Sequence, residues 1–338
     1  MSDGNPSRSG PTIRDIARHA RVSAATVSRV LNGHDTVHPN LRDQVLRSLS
    51  ALGYYPNGVA RSLRTRQTQT VGVIIPDILN PHFAEAVRAI QDTLAVAGYT
   101  PLLCNSDRDR GREFADVAAL LARGVDGLIL ASAAEHASEI AACVRGHRPV
   151  VLMDRNLPDS PFDSVSVDCQ TPTRDAVLHL VERGRRRIAH LAGPQETSTA
   201  REKLAGYREG LEQAGLPFDP PLVCFGDYTT SQGEAASELL LDRRPPPDAV
   251  ICANNLMSQG LLRAIARRGL AVPTDVAVIA TDDVYWTVLI DPPLTVIAQP
   301  VYELGQRAAT LLLDRLRGES GPPRCMRLQA RLLIREST

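Results

Sequence analysis

Residues 11–33 read PTIRDIARHARVSAATVSRVLNG. Ile13, Ile16, Ala17 and Ala20 recur at helical spacing, and Val27, Val30 and Leu31 form a second apolar stripe. Thr12, with Asp15 three residues on, makes an N-cap with an acidic first turn. Ser23 suits the cap of the second helix. Only Arg21 and Val22 separate the two segments, so the pair reads as a helix-turn-helix. A third helix is expected over residues 38–53, HPNLRDQVLRSLSALG. Pro39 suits its first turn, Leu41, Val45, Leu49 and Leu52 make one face, and Gly53 marks its stop.

Turning Val27, Val30 and Leu31 inward leaves Ala24, Ala25, Thr26, Ser28 and Arg29 outward. Short side chains let a helix backbone approach base edges, and Arg29 can fork onto guanine O6 and N7. Thr26, Ser28 and Asn32 suit phosphate oxygens, while Ala24 and Ala25 offer only methyl contacts. The competing reading is a three-helix bundle with a solvated face. Charge favours DNA: residues 1–70 hold ten Arg against four Asp, a net +6, in a chain with 38 basic and 38 acidic residues. Residues 56–66, PNGVARSLRTR, give one or two helical turns, too short to be stable alone. Leu63, between Arg61 and Arg64, suits an apolar wedge pushed between base steps of the minor groove. Its alternative is a linker leucine docking on the next domain. Thr12, Ser23, Asn57 and Ala60 complete the expected DNA-contacting set.

From residue 71, apolar runs (VGVIIP, TPLLCN, GLILAS, PVVLMD, RIAHLAG, LVCFG, DAVICAN, DVAVIATDD) alternate with helical patterns. Uniformly apolar strands joined by helices mean buried parallel sheets. The cycle restarts after PVVLMD, so two similar α/β lobes are expected, with ligand groups at strand C-terminal ends facing a cleft. Polar residues stand there: Asp77, Asn80 and Phe83 after the first strand, then Asp154 and Arg155, Arg201, Tyr228, Asn254, Asp282 and Gln299. Carboxylates, amides, an arginine fork and an aromatic plate suit a polyhydroxylated ligand. Each residue taken singly also has a structural reading: Asp154 as a cap, Arg201 paired with Glu196 or Glu202, Asp282 and Asp283 as turn formers.

With these motifs assembled, the chain resembles the lac repressor-type regulators, the LacI/GalR family. TIRDIARHARVSAATVSRVLNG and YYPNGVARSLRTRQTQTVGVIIPD carry the likeness. FDSVSVDCQTPTRDAVLHLVERGRRRIAHLAGP, CANNLMSQGLLRAI and DPPLTVIAQPVYELG extend it over nearly the whole chain after residue 11. The resemblance implies an α/β fold class: an N-terminal helix-turn-helix headpiece with hinge helix, then a periplasmic-binding-protein-like, two-lobed, doubly wound effector domain. The implied divisions are a disordered tail (1–10), the helix-turn-helix (11–55), hinge and linker (56–68) and an effector-binding and dimerisation domain (69–338). Its N-subdomain takes about 69–165 and 299–325, and its C-subdomain about 166–298 and 326–338. By the same resemblance, base reading falls on Ala24, Ala25 and Arg29, and the wedge on Leu63 with Arg64 beside it. Effector binding falls on Arg201, Asn254 and Asp282, and pocket lining on Asp154, Tyr228 and Gln299. The implied function is a repressor of carbohydrate genes that binds a near-palindromic operator as a homodimer under a small sugar-like effector. Three positions depart from the usual pattern. Arg21 stands where Gly or Asn is usual, Asn254-Asn255 where Asn-Asp is frequent, and Ala280-Thr281-Asp282-Asp283 where an aromatic follows glycine.

Other classes are excluded or weakened. No apolar run reaches the roughly 18 residues of a membrane span, and MSDGNPSRSG has no signal-peptide core, so a cytoplasmic protein is expected. Six cysteines without C-x-x-C spacing read as reduced, with Cys104, Cys224 and Cys252 in apolar runs. No cofactor or metal motif is present, nor any P-loop, G-x-S-x-G or H-E-x-x-H. An enzyme would have to use Asp154 and Asp282 as a glycosidase-like carboxylate pair. A sugar-binding protein without DNA function would not need the basic N-terminal module, and a purine or nucleoside effector stays open. The single lysine, Lys203, is read with the arginine bias as genome composition.

Overall fold

The Thr12 capping box forms: the Thr12 hydroxyl accepts the Asp15 N–H at 3.4 Å, and the Asp15 carboxylate accepts the Thr12 N–H at 2.9 Å. It opens α1 (Ile13–His19), which α2 (Ala24–Leu31) and α3 (Pro39–Ala51) follow. The computed structural model describes residues 11–31, 36–54, 67–144 and 148–338. The expected tail and Asn32, Asn57, Ala60, Leu63 and Arg64 lie outside the described residues. The chain divides into two compact units, residues 1–68 and 69–338.

In the first unit Ile16, Ala20, Val27 and Val45 are fully buried and meet Val30 and Val37 in one small core. Leu49 and Leu52 pack against it as expected, but Leu41 is 39% exposed in the first turn of α3. The core is too small to reach that turn. Ser48 takes an inward position instead, donating to the Gln44 carbonyl at 2.9 Å and lying 3.0 Å from His19 Nδ1. Arg21 adopts φ 50°, a left-handed conformation inside the tight turn. The turn therefore keeps its geometry, and the arginine absorbs the strain that glycine would avoid.

The second unit alternates strand and helix. Its first lobe comprises β1 (Thr70–Ile75), α4 (Pro81–Val96), β2 (Thr100–Asn105), α5 (Arg110–Ala122), β3 (Gly127–Leu130), α6 (Ala137–Val144), β4 (Val150–Asp154) and β5 (Asp163–Asp168). The second lobe comprises α7 (Gln170–Glu182), β6 (Ile188–Ala192), α8 (Ser198–Gln213), β7 (Val223–Phe225), α9 (Thr230–Leu241), β8 (Ala249–Cys252), α10 (Asn255–Arg267), β9 (Ala277–Thr281) and β10 (Thr295–Ala298). The chain returns with α11 (Val301–Leu316) and β11 (Cys325–Gln329), and re-enters the second lobe with β12 (Arg331–Leu333). The sheets run β11-β5-β4-β3-β1-β2 and β12-β10-β9-β8-β6-β7. All neighbours are parallel except β12, which runs antiparallel to β10. The last two strands thus join different sheets across Ala330. The chain crosses between lobes at 168–170, 298–301 and 329–331.

Central strands are apolar on both faces because helices cover both. Val71, Val73, Val151 and Val165 pack under α4 and α11, where Gly305 approaches the Ala86 carbonyl so closely that a Cβ would lie 2.3 Å from that oxygen. Cys104 and Cys224 are half-buried rather than buried, since they stand on the edge strands β2 and β7. Cys252, on central β8, is buried, and burial pushes its thiol up to about 12.

Candidate functional site

Helix α2 presents the face its sequence suggests. Ala24, Ala25 and Arg29 are exposed, Thr26 and Ser28 half-buried, and Val27 and Val30 buried. The Ser23 hydroxyl accepts the Thr26 N–H at 3.1 Å and lies 2.9 Å from the Thr26 hydroxyl, so Ser23 caps the helix. The Thr12 hydroxyl is likewise occupied, donating to Asp15 at 2.7 Å. What remains outward is two methyl groups and one guanidinium, a surface that a groove edge can approach closely.

The second site lies in the larger unit, in a cavity of about 470 Å³ counted with its open mouth. Asn80, Phe83, Asp154, Tyr228, Asn254, Asp282 and Gln299 line it. They converge because parallel strands in two facing sheets end at the same cleft. Asp154, Tyr228 and Asp282 end or follow their strands with φ of 72°, 68° and 73°. A left-handed backbone at a non-glycine residue costs about 1–2 kcal/mol, so three of them at one cleft mark a site held by its surroundings. The Tyr228 ring lies against Gly193, where a Cβ would meet ring carbon at 2.3 Å. Asn80 and Asn254 also cap α4 and α10, accepting from His82 N and Met257 N at 3.1 and 2.9 Å.

Arg201 is not in this cavity. It is exposed in the first turn of α8 and donates to the Gln195 and Glu196 carbonyls at 2.8 and 3.0 Å. Its place is taken by Lys203, which shares the inner face with Ala200, Leu204 and Tyr207. Lys203 Nζ donates to the Ala253 carbonyl at 2.8 Å. Burial works against its charge, but electrostatic coupling to Cys169, Tyr228, Asp282 and Asp154 outweighs that and holds it above the ordinary lysine range.

The sequence reading also missed His82, which sits at the centre. Its Nδ1 faces Asp282 Oδ1 at 3.1 Å and its Nε2 faces Asp154 Oδ1 at 3.4 Å, with the side chain 5% exposed. A neutral imidazole has one N–H, whereas both nitrogens here face carboxylates, so the ring is an imidazolium. Burial opposes the charge, yet Asp282 and Asp154 raise the pKa to about 10. Asp282 and Asp154 are also costly to bury as anions, and His82 draws both below the usual carboxylate range. Asn255 Nδ2 donates to Asp282 Oδ2 at 2.8 Å and to Asn80 Oδ1 at 2.9 Å, which an aspartate at that position could not do. Gln299 Nε2 donates to Asp282 Oδ1 at 2.6 Å. The His82–Asp282 and Asn80–Asn255 contacts join the two lobes. Arg108, Arg155 and Thr199 complete the wall. Among the described residues no His, Cys, Asp and Glu group is placed to hold a metal ion, and no helix is long and apolar enough to cross a membrane.

A two-lobed α/β body closing on a polar cavity, in one chain with a helix-turn-helix, defines a ligand-binding DNA-recognition protein. Residues 12–57 match the family described as bacterial regulatory proteins, lacI family, and residues 177–338 match a periplasmic binding protein-like domain. The chain is 35% identical to the HTH-type transcriptional repressor CytR of Escherichia coli (strain K12), over 97% of its own length and 96% of that protein. Among solved structures it is similar to the transcriptional regulator CelR in complex with cellobiose (35% identity, TM-score 0.74, 97% of this chain and 100% of that one). It is also similar to the lac repressor dimer bound to operator and the anti-inducer ONPF (29% identity, TM-score 0.85, 98% and 99%). The chain belongs to the LacI family of bacterial transcription regulators.

Proposed function

We propose that the protein represses carbohydrate uptake or catabolism genes, and that a small sugar-like effector in the cavity controls its operator affinity. The observation that carries this reading is the outward Ala24, Ala25 and Arg29 face in the same chain as a cavity spanning both lobes. As a homodimer in the cytoplasm, the protein sets two such helices in successive major grooves of a near-palindromic site. Arg29 forks onto guanine, Thr12, Ser23, Thr26, Ser28 and Asn32 position the helix on phosphates, and Ala24 and Ala25 touch thymine methyls. Asn57, Ala60 and Arg64 flank a Leu63 wedge in the minor groove. The effector binds between the lobes against Asn80, Phe83, Asp154, Tyr228, Asn254, Asp282 and Gln299, and shifts the lobe equilibrium. The relative crystallised with cellobiose supports a sugar. The protein binds and releases; it turns nothing over.

Operator selection from random duplexes, followed by anisotropy titration, tests this. Arg29→Ala should weaken the selected site by about 1–3 kcal/mol and relax one guanine position. Leu63→Ala should weaken binding and reduce the bend. Equal affinity and bending in both variants would falsify the DNA-reading assignment.

A further inference from the structure

We infer that the effector carries a phosphate or carboxylate on a hydroxyl-bearing body, and that Arg155 receives the anion. This rests on the cavity being the effector site. The charges are counted first. Around the cavity stand Asp154, Asp282, His82, Lys203, Arg108 and Arg155, with Asp77 behind Arg108 at 3.4 Å. His82 lies between the two cavity carboxylates, Lys203 is held near them by their charge, and Arg108 is matched by Asp77. Arg155 makes no close ion pair, although its charge acts on neighbouring Asp154 and on buried Glu113. It is half-buried and has no hydrogen-bond or ion-pair partner among the described residues. The Glu113 carboxyl makes no hydrogen bond to it: its oxygens accept from the Ser132 hydroxyl and from Ala133 N at 2.6 Å. A half-buried guanidinium whose N–H groups meet no acceptor is unfavourable, and an anionic ligand group removes that penalty.

The hydroxyl-bearing body follows from the orphaned acceptors. Asn255 Oδ1 and Gln299 Oε1 are buried with no partner. Their amides cannot flip, because each NH2 must face the Asp282 carboxylate. Gln299 Oε1, on the cavity wall, therefore awaits a donor from a ligand, whereas Asn255 is fully buried behind that wall. The Asp282 carboxylate already takes three donors, from His82, Asn255 and Gln299, which leaves about one acceptor site for a ligand hydroxyl. The cavity thus asks for a hydroxyl donor beside Gln299 and for negative charge at Arg155.

Calorimetric titration of the full-length protein with glucose, glucose 6-phosphate, glucuronate, ribose, ribose 5-phosphate and inorganic phosphate tests this. At least one anionic sugar should bind about tenfold or more tightly than its neutral parent, as one charge-assisted contact gives. Whether that member is phosphorylated or carboxylated names the anion. Arg155→Gln should bring the pair near parity by weakening the anionic member far more than the neutral parent, while Arg155→Lys keeps part of the preference. A neutral sugar that binds as well as its anionic partner overturns the inference and leaves the effector reading intact. Binding by none of the six overturns it too. The effector reading then falls only if a wider set of neutral sugars and nucleosides gives no ligand that is lost in Asp282→Asn.

Discussion

Replacing His82 by glutamine removes the one cation lying between two buried carboxylates. The side chains of His82, Asp282 and Asp154 are 5%, 4% and 15% exposed, so water cannot replace the lost charge. The magnitude follows from linkage. A histidine whose pKa rises from 6.5 unfolded to about 10 folded stabilises the fold by up to about 5 kcal/mol below pH 6.5. At pH 7, where the unfolded histidine is already mostly neutral, about 4 kcal/mol remains. That agrees with the roughly 3–5 kcal/mol lost when one partner of a buried ion pair is removed. Glutamine keeps one donor, so the expected loss at pH 7 is about 3–4 kcal/mol, or roughly 6–16 °C in melting temperature for a domain of this size. The sign with pH is fixed. Because the folded pKa is raised, the contribution is full below pH 6.5 and is lost as pH climbs through about 10. The depressed Asp282 and Asp154 set the lower limit, since their stabilisation is present above pH 4 and lost as they protonate on acidification. Thermal melts of wild type and His82→Gln at intervals from pH 5 to 10 measure the difference directly. A gap below about 1 kcal/mol at pH 6, or one that widens toward pH 9, would show that the ring is neutral and the reasoning wrong.

Arg21→Gly should stabilise the first unit by about 0.5–1 kcal/mol, because φ 50° suits glycine; a headpiece melting temperature that falls refutes the strain. Gly305→Ala should destabilise the second unit by about 2–3 kcal/mol, since its Cβ would meet backbone oxygen at 2.3 Å; an unchanged urea midpoint would mean that the helices part freely. Arg201→Ala should leave affinity for the tightest sugar of the titration within about twofold, while Lys203→Gln lowers it by about tenfold or more. The reverse order would put the ligand outside the cavity, near the exposed arginine.

What the sequence made legible was local. A capping box, an apolar stripe and a two-residue turn are short-range chemistry, so Thr12, Ser23 and the α2 face could be read from neighbours three and four residues away. Strand ends were legible because parallel sheets collect them at one cleft. His82 was not. It follows Pro81 in a helix first turn, and its partner Asp282 is 200 residues away, so no local spacing announces the pair. The Lys203 error was avoidable. Counting from Ala200, positions 203, 204 and 207 share a helical face and position 201 does not. A chain's only lysine on that apolar face was a signal, and arginine bias masked it. The partners of the last two strands were illegible for another reason: each is short, one residue separates them, and pairing across sheets depends on residues near 165 and 297.

The same long-range contacts decide how a ligand would act. The first lobe follows directly on residue 68, where the DNA-binding unit ends, whereas the second lobe is reached only through the three crossings. Information from the cavity must then travel as a change in the angle between lobes. His82 against Asp282 and Asn80 against Asn255 hold that angle in the structure. A ligand that adds bridges beside these contacts closes the cleft further; one that takes Asp282 from His82 loosens it. Arg155 and Asp154 belong to the first lobe, Lys203, Asn255 and Asp282 to the second, and Gln299 stands on a crossing. An anion at Arg155, a hydroxyl on Gln299 and the ligand body against Tyr228 and Asn254 of the second lobe therefore bridge both lobes without displacing His82, and favour the closed form. By reciprocity, operator DNA must change the affinity for that ligand by the same factor by which the ligand changes the affinity for DNA, upward if the operator-bound state prefers the closed form and downward if it prefers the open one.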